Sequence, residues 1–290
     1  MVSKKKILIV GGDSTLGKNF SFFLKKKKTK FIKTTRRKKN KYYLDLLEIN
    51  KFNIPKDVKS AVIFAYQNNI AYCEKNYKQA YEINVQNIYK LVKKLLLKKI
   101  FILFISTNLV FDNSKLKRYE KTSKKPITNY GKMKSICEDK ITNFAKINKL
   151  NEYFSILRIS KVLNFKYNPI KLWADHLKKK KVISIPDDIF CCPIDINSLN
   201  NSIFKIIKNS YSGIFHLSGE KEFNYYQLAK KIFNKSKYLK YFKAISSKNL
   251  LKPIYNSNVK TFLSLGRNSQ KIGIRKISIS KIKKEIKYHD

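Results

Sequence analysis

The sequence has 290 residues, of which 43% are hydrophobic, and a formal net charge of +45. A chain of this length and apolar content can bury a substantial core, which excludes wholesale disorder. No apolar run approaches the ~20 residues that a membrane-spanning helix needs, and the apolar run at residues 7–10 is too short for the core of a secretion signal. We therefore predict a cytoplasmic protein without a membrane span.

The positive charge comes mostly from lysine spread along the whole chain, together with abundant asparagine and isoleucine. This pattern is typical of a global compositional bias. Base readout in the major groove of DNA depends heavily on arginine, which is scarce here. We predict weak, salt-dependent attraction to polyanions and no specific nucleic-acid partner.

Cysteine and histidine are too few and too scattered to form a recognisable metal site or a Ser–His–Asp triad. They are Cys73, Cys137, Cys191, Cys192, His176, His216 and His289. We predict reduced thiols and assign no residue to a metal.

In the first half of the chain, short apolar runs alternate with amphipathic stretches, as in parallel strands joined by crossover helices. Strands are predicted at residues 6–10, 30–33, 42–46, 61–65, 100–105 and 154–159. Helices are predicted at residues 16–24, 77–97 and 130–145, the second from the helical spacing of its leucine, isoleucine and valine residues. The sequence therefore predicts an α/β fold, a Rossmann-type doubly wound parallel sheet.

After residue 160 the elements become shorter and are separated by prolines. Strands are predicted at residues 182–185 and 213–217, and a helix at residues 223–233 with Asn224 as its N-cap. We predict two domains: an NAD(P)-binding Rossmann domain at residues 1–162, and a smaller C-terminal α/β substrate domain at residues 163–290. Chain exchange between the two is expected.

Glycine is rare in this chain, with eight residues in 290, yet Gly11, Gly12 and Gly17 cluster between the first strand and the first helix. A dinucleotide-binding fold needs a tight turn there, where backbone N–H groups approach a pyrophosphate. The spacing matches the Gly-x-x-Gly-x-x-Gly form of the short-chain reductases, with Ser14 at the middle position. An ordinary strand–helix turn of small residues is the alternative, and the position at the first βα junction favours a cofactor.

The residues after the second strand bear on the choice of cofactor. A carboxylate there would bind the ribose of NAD, whereas arginine accommodates the 2′-phosphate of NADP. The sequence has Arg36 and Arg37 and no acid until Asp45. We therefore predict NADP(H) in preference to NAD(H).

A tyrosine and a lysine four residues apart lie on one face of a helix, where the ammonium group favours ionisation of the phenol and lowers its pKa. Such a tyrosine can pass a proton to a carbonyl oxygen. The spacing alone is not specific in so lysine-rich a chain, because it occurs at Tyr89/Lys93, Tyr130/Lys134, Tyr167/Lys171 and Tyr226/Lys230.

Position separates Tyr130/Lys134 from the other pairs. Tyr130 opens a helix shortly after a buried strand that ends in Ser106 and Thr107, and α/β folds bind ligands at the carboxyl ends of strands. Taken singly, Thr107 could merely satisfy backbone groups and Tyr130 could be a packing aromatic. Together with the phosphate loop, they predict a catalytic set of Thr107, Tyr130 and Lys134.

Two segments carry a family resemblance. Residues 106–112, Ser-Thr-Asn-Leu-Val-Phe-Asp, look like the Ser-Thr-Asp-Tyr-Val-Phe-Asp segment of the dTDP-4-dehydrorhamnose reductases, which are extended short-chain dehydrogenases/reductases. Residues 126–134 are similar to that family's Pro-x-x-x-Tyr-Gly-x-x-Lys segment. The resemblance covers nearly the full chain, with further landmarks at Cys73-Glu74, Ala80, Ile83-Asn84-Val85, Asp187-Asp188, Pro193, residues 213–219, Pro253 and Asn256.

The resemblance implies hydride transfer from NAD(P)H to the 4-keto group of a nucleotide-linked deoxysugar, in activated-sugar synthesis for surface polysaccharide. By position, Thr107 would orient the carbonyl, Tyr130 would donate the proton, and Lys134 would bind the nicotinamide ribose and tune Tyr130. The expected cofactor contacts are Gly11, Ser14, Thr15, Leu16, Gly17, Arg36, Asp45, Leu46 and Ala65. A homodimer is compatible with the family, as is Mg²⁺, for which we find no matching acidic cluster.

Departures from the family pattern leave the sugar open. Asn108 and Leu109 replace Asp-Tyr beside the catalytic hydroxyl, and Asn113 replaces a glycine. A 4,6-dehydratase or an epimerase remains an alternative, although a dehydratase would need an acidic pair next to Thr107. A non-catalytic regulatory subunit, like the methionine adenosyltransferase β subunit, is a second alternative, and retention of the complete catalytic set argues against it.

Overall fold

The computed structural model describes residues 6–112, 118–164, 169–249 and 261–287. The strands in chain order are β1 (Lys6–Val10), β2 (Phe31–Lys33), β3 (Val58–Ile63), β4 (Phe101–Thr107), β5 (Phe154–Ile159), β6 (Lys161–Leu163), β7 (Ile183–Pro186), β8 (Phe190–Cys191), β9 (Pro193–Asp195), β10 (Gly213–Leu217), β11 (Phe223–Asn224) and β12 (Phe242–Ile245). The α-helices are α1 (Thr15–Lys26), α2 (Ile70–Lys75), α3 (Tyr77–Tyr81), α4 (Ile88–Leu97), α5 (Asn129–Ile147), α6 (Ile170–Lys178), α7 (Ile196–Asn209), α8 (Tyr225–Ile232), α9 (Ser236–Leu239), α10 (Arg267–Lys271) and α11 (Ile279–Lys287).

Six strands form one parallel sheet in the order β10-β5-β4-β3-β1-β2. The chain starts at β1, winds outward to β2, and then crosses β1 to continue in the other direction through β3, β4 and β5. This reversal is the doubly wound arrangement, and it opens a crevice at the carboxyl ends of β1 and β3. The predicted Rossmann-type α/β fold is confirmed.

Side-chain alternation along the strands explains why helices cover both faces of the sheet. In β1, Leu8 and Val10 belong to a core that includes the buried faces of α4 and α5. Ile7 and Ile9 point the other way, into a second core shared with α1 and α7. Burying each of these side chains stabilises the fold by roughly 1.5–3 kcal/mol, so the sheet is held between two helical layers.

Two sequence predictions were wrong in detail. The strand predicted at residues 42–46 is instead a single bridge between Thr35 and Tyr43, followed by a 3₁₀-helix at Leu46–Lys51. The reason is Asp45, whose carboxylate accepts the Leu47 N–H at 2.9 Å and starts a helical turn.

The helix predicted at residues 77–97 runs through that range but contains a π-helix at Glu82–Asn87 between α3 and α4. In this turn the Asn84 amide bonds both the N–H and the C=O of Gln67, each at 2.9 Å. These bonds tie the helix to the loop after β3. Helical periodicity in the sequence does not reveal the extra residue of a π turn.

The chain after residue 162 contributes to two parts of the molecule. It builds the small sheets β11-β8 and β12-β7 and, with β6 at residues 161–163, the sheet β6-β9; it also adds β10 to the large sheet and packs α7 against one face of it. Near the end of this part, Asn224 caps α8 in a capping box with Gln227, as predicted for that N-cap. The helix itself is shorter than predicted, because Phe223–Asn224 forms β11.

Candidate active site

The loop between β1 and α1 needs glycine at its first position. Gly11 has a φ of +84°, and a Cβ there would lie 2.7 Å from the backbone nitrogen of Ala65. Ser14, by contrast, has an ordinary extended conformation with φ −67° and ψ 159°. Its hydroxyl accepts the Gly17 N–H at 3.1 Å and donates to the Gly11 carbonyl at 2.7 Å. Serine therefore fits the middle position without strain.

The same loop presents an anion-binding surface. The backbone N–H groups of Thr15 and Leu16, in the first turn of α1, donate to no acceptor in the described part of the chain. Free N–H groups and the dipole of a twelve-residue helix favour a phosphate at this end. Gly17 lies behind this surface, where a Cβ would come within 2.3 Å of the Gly11 oxygen. It allows close packing of the loop and does not line the cavity.

A cavity of about 460 Å³, here the cofactor cavity, opens beside this loop. The predicted cofactor contacts that line it are Gly11, Ser14, Thr15, Arg36, Asp45, Leu46 and Ala65. The loop residues would hold a pyrophosphate, and residues 44–46 and 36 would surround an adenosine. These residues fit a dinucleotide.

Asp13 also lines the cofactor cavity, and the sequence analysis missed it. Its carboxylate accepts a hydrogen bond from the Thr35 hydroxyl, which is the main reason that the pKa of Asp13 is lowered. The backbone of Arg36 and the nearby charge of Lys33 lower this pKa further. Asp13 thus comes from the glycine loop, whereas the sequence prediction considered acidic residues only in the chain after β2.

A second cavity, of about 430 Å³ and here the substrate cavity, adjoins the first. Thr107, Tyr130 and Lys134 all line it, together with Thr15 and Leu16 from the phosphate loop. The structure therefore brings the predicted catalytic set together, beside the loop that would hold the cofactor.

Tyr130 reaches this cavity because α5 begins very close to the end of β4. The Thr128 hydroxyl caps the helix by accepting the Gly131 N–H at 3.1 Å. A Cβ on Gly131 would lie 2.2 Å from the carbonyl oxygen of Leu109, so only glycine permits this approach. Leu109 belongs to a 3₁₀ turn at Asn108–Val110 whose first amide groups are capped by Thr107. The Tyr-Gly pair thus brings Tyr130 to the cavity that Thr107 also lines.

Lys134 is buried, and its ammonium group donates to the Ile105 carbonyl at 2.7 Å and lies over the Tyr66 ring. Burial lowers the pKa of Lys134 well below its ordinary value and raises the pKa of Tyr130 above its ordinary value. The prediction that Lys134 lowers the pKa of the Tyr130 phenol is therefore wrong for this structure. Desolvation is the main cause of the raised Tyr130 pKa and the neighbouring Cys73 adds to it, so the phenol is held in its protonated form.

Two of the other Tyr-x-x-x-Lys pairs, Tyr89/Lys93 and Tyr226/Lys230, lie away from both cavities. The Lys93 ammonium lies 5.7 Å from the Tyr89 ring centroid on α4, and that of Lys230 lies 5.2 Å from the Tyr226 ring centroid on α8. None of these four residues lines either cavity. Five residues named from the sequence lie outside the described residues: Asn113, Tyr167, Pro253, Asn256 and His289.

A buried ion pair supports the catalytic strand and helix from behind. Arg158 on β5 and Glu138 on α5 are 2% and 1% exposed, and the shortest distance between their charged atoms is 2.7 Å. The Ser106 hydroxyl donates to the same carboxylate at 2.5 Å, and the Lys124 ammonium lies 3.3 Å from it. Burial by itself would raise the pKa of Glu138, but Arg158, Lys124 and Ser106 lower it. Glu138 therefore stays ionised, one turn beyond Lys134.

His216 on β10 extends this network toward the C-terminal part of the chain. Its Nδ1 donates to the Ser264 carbonyl at 2.9 Å, which leaves Nε2 to accept from Arg158 at 3.4 Å. Burial and the charge of Arg158 lower the pKa of His216 to about 4. The imidazole is therefore neutral at physiological pH and links the large sheet to residues 264–269.

This shift predicts acid sensitivity. Between pH 6.5 and 4 the unfolded chain binds a proton at His216, whereas the folded protein does not. The contribution of His216 to the free energy of unfolding is therefore fully present above about pH 6.5 and is lost as the pH falls toward 4. The loss amounts to about 3 kcal/mol. Urea unfolding of wild type and His216→Asn across this range measures it. A variant whose stability falls as steeply as that of wild type would contradict the assignment.

The described parts of the chain hold no group of three or more His, Cys, Asp or Glu side chains placed to bind a metal ion. Nor does any helix in those parts have the length and apolar character needed to cross a membrane.

Some residues of the substrate cavity were not found from the sequence. They are contributed by β6, β8 and α8, and include Lys161, Phe190, Cys191 and Tyr225. No local motif marks them, because they approach the catalytic set only when the second half of the chain folds over the carboxyl end of the sheet.

Comparison with known proteins agrees with this geometry. The family model described as the RmlD substrate binding domain matches residues 5–277. A search of curated proteins by sequence gave no match. Solved structures are similar over almost the whole chain. One is a dTDP-4-dehydrorhamnose reductase from Clostridium acetobutylicum, 24% identical with a TM-score of 0.79, covering 98% of this chain and 99% of that one.

A second similar structure is the dTDP-4-dehydrorhamnose reductase from Bacillus anthracis in complex with NADP, 21% identical with a TM-score of 0.77, covering 97% of this chain and 96% of that one. A third is the dTDP-glucose 4,6-dehydratase from Streptomyces venezuelae with NAD bound, 13% identical with a TM-score of 0.77, covering 98% and 96%. At these identities the likeness establishes the fold. Since the family model spans nearly all of the sequence, this protein belongs to the RmlD family, the dTDP-4-dehydrorhamnose reductase family whose motifs residues 106–112 and 126–134 resemble.

Proposed function

We propose that this protein reduces the 4-keto group of a nucleotide-linked deoxysugar with hydride from NAD(P)H. The observation that carries the proposal is that Thr107, Tyr130 and Lys134 line one cavity with the phosphate loop. Membership of the RmlD family supports the same chemistry. A nicotinamide cofactor, when bound at the loop, supplies the hydride.

In this proposal each catalytic side chain has one task. The Tyr130 phenol, kept protonated by burial, donates its proton to the carbonyl oxygen. The Thr107 hydroxyl, fixed by the Leu109 N–H at 3.2 Å, orients the same oxygen. Lys134, anchored on the Ile105 carbonyl, holds the nicotinamide ribose beside Tyr130. Hydride on carbon and a proton on oxygen together turn the ketone into an alcohol.

The test is direct. Purified protein is mixed with NADPH or NADH and a panel of nucleotide-linked 4-keto-6-deoxysugars, and the loss of reduced-cofactor absorbance is followed. We expect at least one member of the panel to be reduced. If the wild-type protein binds NADPH but reduces no member, the proposal is wrong.

A dehydratase or an epimerase is the main alternative within this fold. Beside Thr107 the substrate cavity is lined by Asn108 and Leu109, and no acidic residue lines it within the part of the chain that the structure describes. Dehydration needs an acid to protonate the leaving hydroxyl and a base to remove the proton from carbon. The composition of this cavity therefore favours simple reduction.

We further propose NADP(H) as the preferred cofactor. Arg36 lines the cofactor cavity, whereas the neighbouring Arg37 does not. The nearby Asp13 carboxylate accepts a hydrogen bond from the Thr35 hydroxyl and lies close to cationic groups such as Lys33. Its negative charge therefore repels a 2′-phosphate less than the charge of an unpaired carboxylate would.

This preference makes Arg36→Ala and Arg37→Ala a matched pair of variants. We expect Arg36→Ala to weaken NADPH about tenfold or more relative to NADH, since a charge-assisted contact to phosphate is lost. Arg37→Ala should leave the ratio unchanged. Fluorescence titration of both cofactors gives the ratio, and an equal effect of the two substitutions would refute the assignment of Arg36.

We propose that residues 163–290 build the substrate side of the site, with chain exchange through α7 and β10, and residues 1–162 the cofactor side. Phe190, Ile196 and Tyr225, all in the second segment, line the substrate cavity, and this supports the division.

A further inference from the structure

The substrate cavity has an unusual charge balance. Among the described residues, its lining includes the lysines Lys134 and Lys161 and no aspartate or glutamate. The remaining polar groups around it are hydroxyls and amides, such as Asn68 and Asn108. A concave site with cations and no carboxylate favours an anionic ligand, because low-dielectric walls strengthen the field of each charge.

The two lysines differ in the partners of their ammonium groups. Lys134 is buried and bonded to the Ile105 carbonyl. The side chain of Lys161 is exposed in the cavity, and within the described ranges neither a hydrogen bond nor an ion pair engages its ammonium group. Desolvation lowers the pKa of Lys161, and the neighbouring Cys191 offsets part of that shift. An ammonium group with a purely structural role in a folded protein is normally hydrogen-bonded or paired with a carboxylate. Lys161 has neither partner among the described residues.

The backbone holds Lys161 in a fixed place. It is the first residue of β6, which follows β5 directly, and it pairs with Pro193 of β9 in a parallel register. β6 and β9 therefore hold Lys161 at the wall of the substrate cavity, which Thr15 and Leu16 of the phosphate loop also line. Its position on a strand limits how far the ammonium group can move from the cavity.

We propose that Lys161 binds an anionic oxygen of the substrate and is a specificity-determining residue of this site. The inference rests on the proposed function, because it takes the ligand to be a nucleotide-linked sugar. The oxygen belongs either to the diphosphate bridge or to a carboxylate carried by the sugar. In both cases a charge-assisted hydrogen bond from Lys161 replaces the water that solvates the ammonium group.

Calorimetric titration of the full chain, saturated with NADPH, tests the proposal. The probes are UDP, dTDP, UDP-glucose and UDP-glucuronate, with uridine and thymidine as uncharged references. The variants are Lys161→Met, which keeps the aliphatic stem, and Lys161→Arg, which keeps the charge. Lys230→Met is the matched control, since Lys230 is exposed on α8 and lies outside the cavity.

If Lys161 binds the diphosphate, Lys161→Met weakens all four phosphorylated probes about tenfold or more, and Lys161→Arg restores most of the affinity. If it binds a sugar carboxylate, wild type prefers UDP-glucuronate to UDP-glucose, and Lys161→Met removes only that preference. Lys230→Met should bind every probe as wild type does.

The proposal would be overturned if no probe binds to wild type, or if Lys161→Met binds all probes as wild type does. It would also be overturned if Lys161→Met loses affinity for NADPH instead, because Lys161 would then belong to the cofactor site. Because binding needs no turnover, these results are separate from the reductase assay. Lys161-dependent binding without reduction of any 4-keto sugar would reject the proposed reaction and retain the anion site.

Discussion

Replacing Tyr130 by phenylalanine should lower the rate of carbonyl reduction by about 10²–10⁴-fold, the contribution expected of a positioned general acid. The substitution removes one hydroxyl from a half-buried ring that lines the substrate cavity. Packing around the ring, the Gly131 contact and the anchoring of Lys134 on Ile105 are unchanged. NADPH binding and thermal stability should therefore stay close to wild type while turnover is lost.

Tyr226→Phe is the matched control for this experiment. Tyr226 also stands four residues before a lysine on a helix, but it lies outside both cavities. Its variant should reduce substrate at the wild-type rate. Equal activity of Tyr130→Phe and wild type would remove Tyr130 from the mechanism.

The structure adds a pH dependence. Burial raises the pKa of Tyr130, so the phenol stays protonated beyond its ordinary value of ~10. We expect no alkaline loss of the reduction rate from this group below that pH. If the reduction rate of wild type falls with a pKa near neutral pH, and the rate of a Tyr130 variant does not, then the phenol ionises at a lower pH than expected and the expectation is wrong.

Arg158→Met should destabilise the folded protein by about 3–5 kcal/mol, because it leaves a buried carboxylate without its main partner. Glu138 is 1% exposed and receives three hydrogen bonds from Arg158. The Lys124 ammonium group, at 3.3 Å, offsets part of the lost charge. Equilibrium unfolding in urea measures the change in the free energy of unfolding.

The exposed pair Lys51–Glu48 provides the control for Arg158→Met. Its charged atoms are also 2.7 Å apart, yet the Lys51 side chain is 75% exposed. Solvent screens such a pair, so Lys51→Met should hardly change stability. The double variant Arg158→Met/Glu138→Gln should be less destabilised than Arg158→Met alone, since no buried charge is then unpaired. If the double variant is more destabilised than Arg158→Met, an unpaired Glu138 carboxylate is not the reason for the loss of stability in Arg158→Met.

Much of the cofactor side was predictable from local sequence. Gly11 and Gly17 stand at one βα junction, and the requirement for each is local: a positive φ at the first, and close packing against the Gly11 oxygen at the second. The pattern of apolar strands and amphipathic helices likewise predicted the parallel sheet, because side-chain alternation and helical spacing are properties of short segments.

The finer structure of the same region was not predictable in this way. Asp13 reaches Thr35 across the end of the sheet, and the π turn at Glu82–Asn87 depends on the bonds of Asn84 to Gln67. These contacts join residues 17 to 22 positions apart, which no local pattern encodes. The wrong strand at residues 42–46 has a local origin instead, since one Asp45 cap outweighed the β propensity of its neighbours.

The sequence by itself determined most strands and helices of the large sheet, the position of the glycine loop, and that Thr107, Tyr130 and Lys134 are the residues to consider. Only the tertiary structure decided that the Tyr130/Lys134 pair faces a cavity, that burial raises the pKa of Tyr130, and that Lys161 joins the site. The physical reason is that desolvation and long-range contact depend on what surrounds a side chain. In a chain with a net charge of +45, one lysine differs from another only through its surroundings.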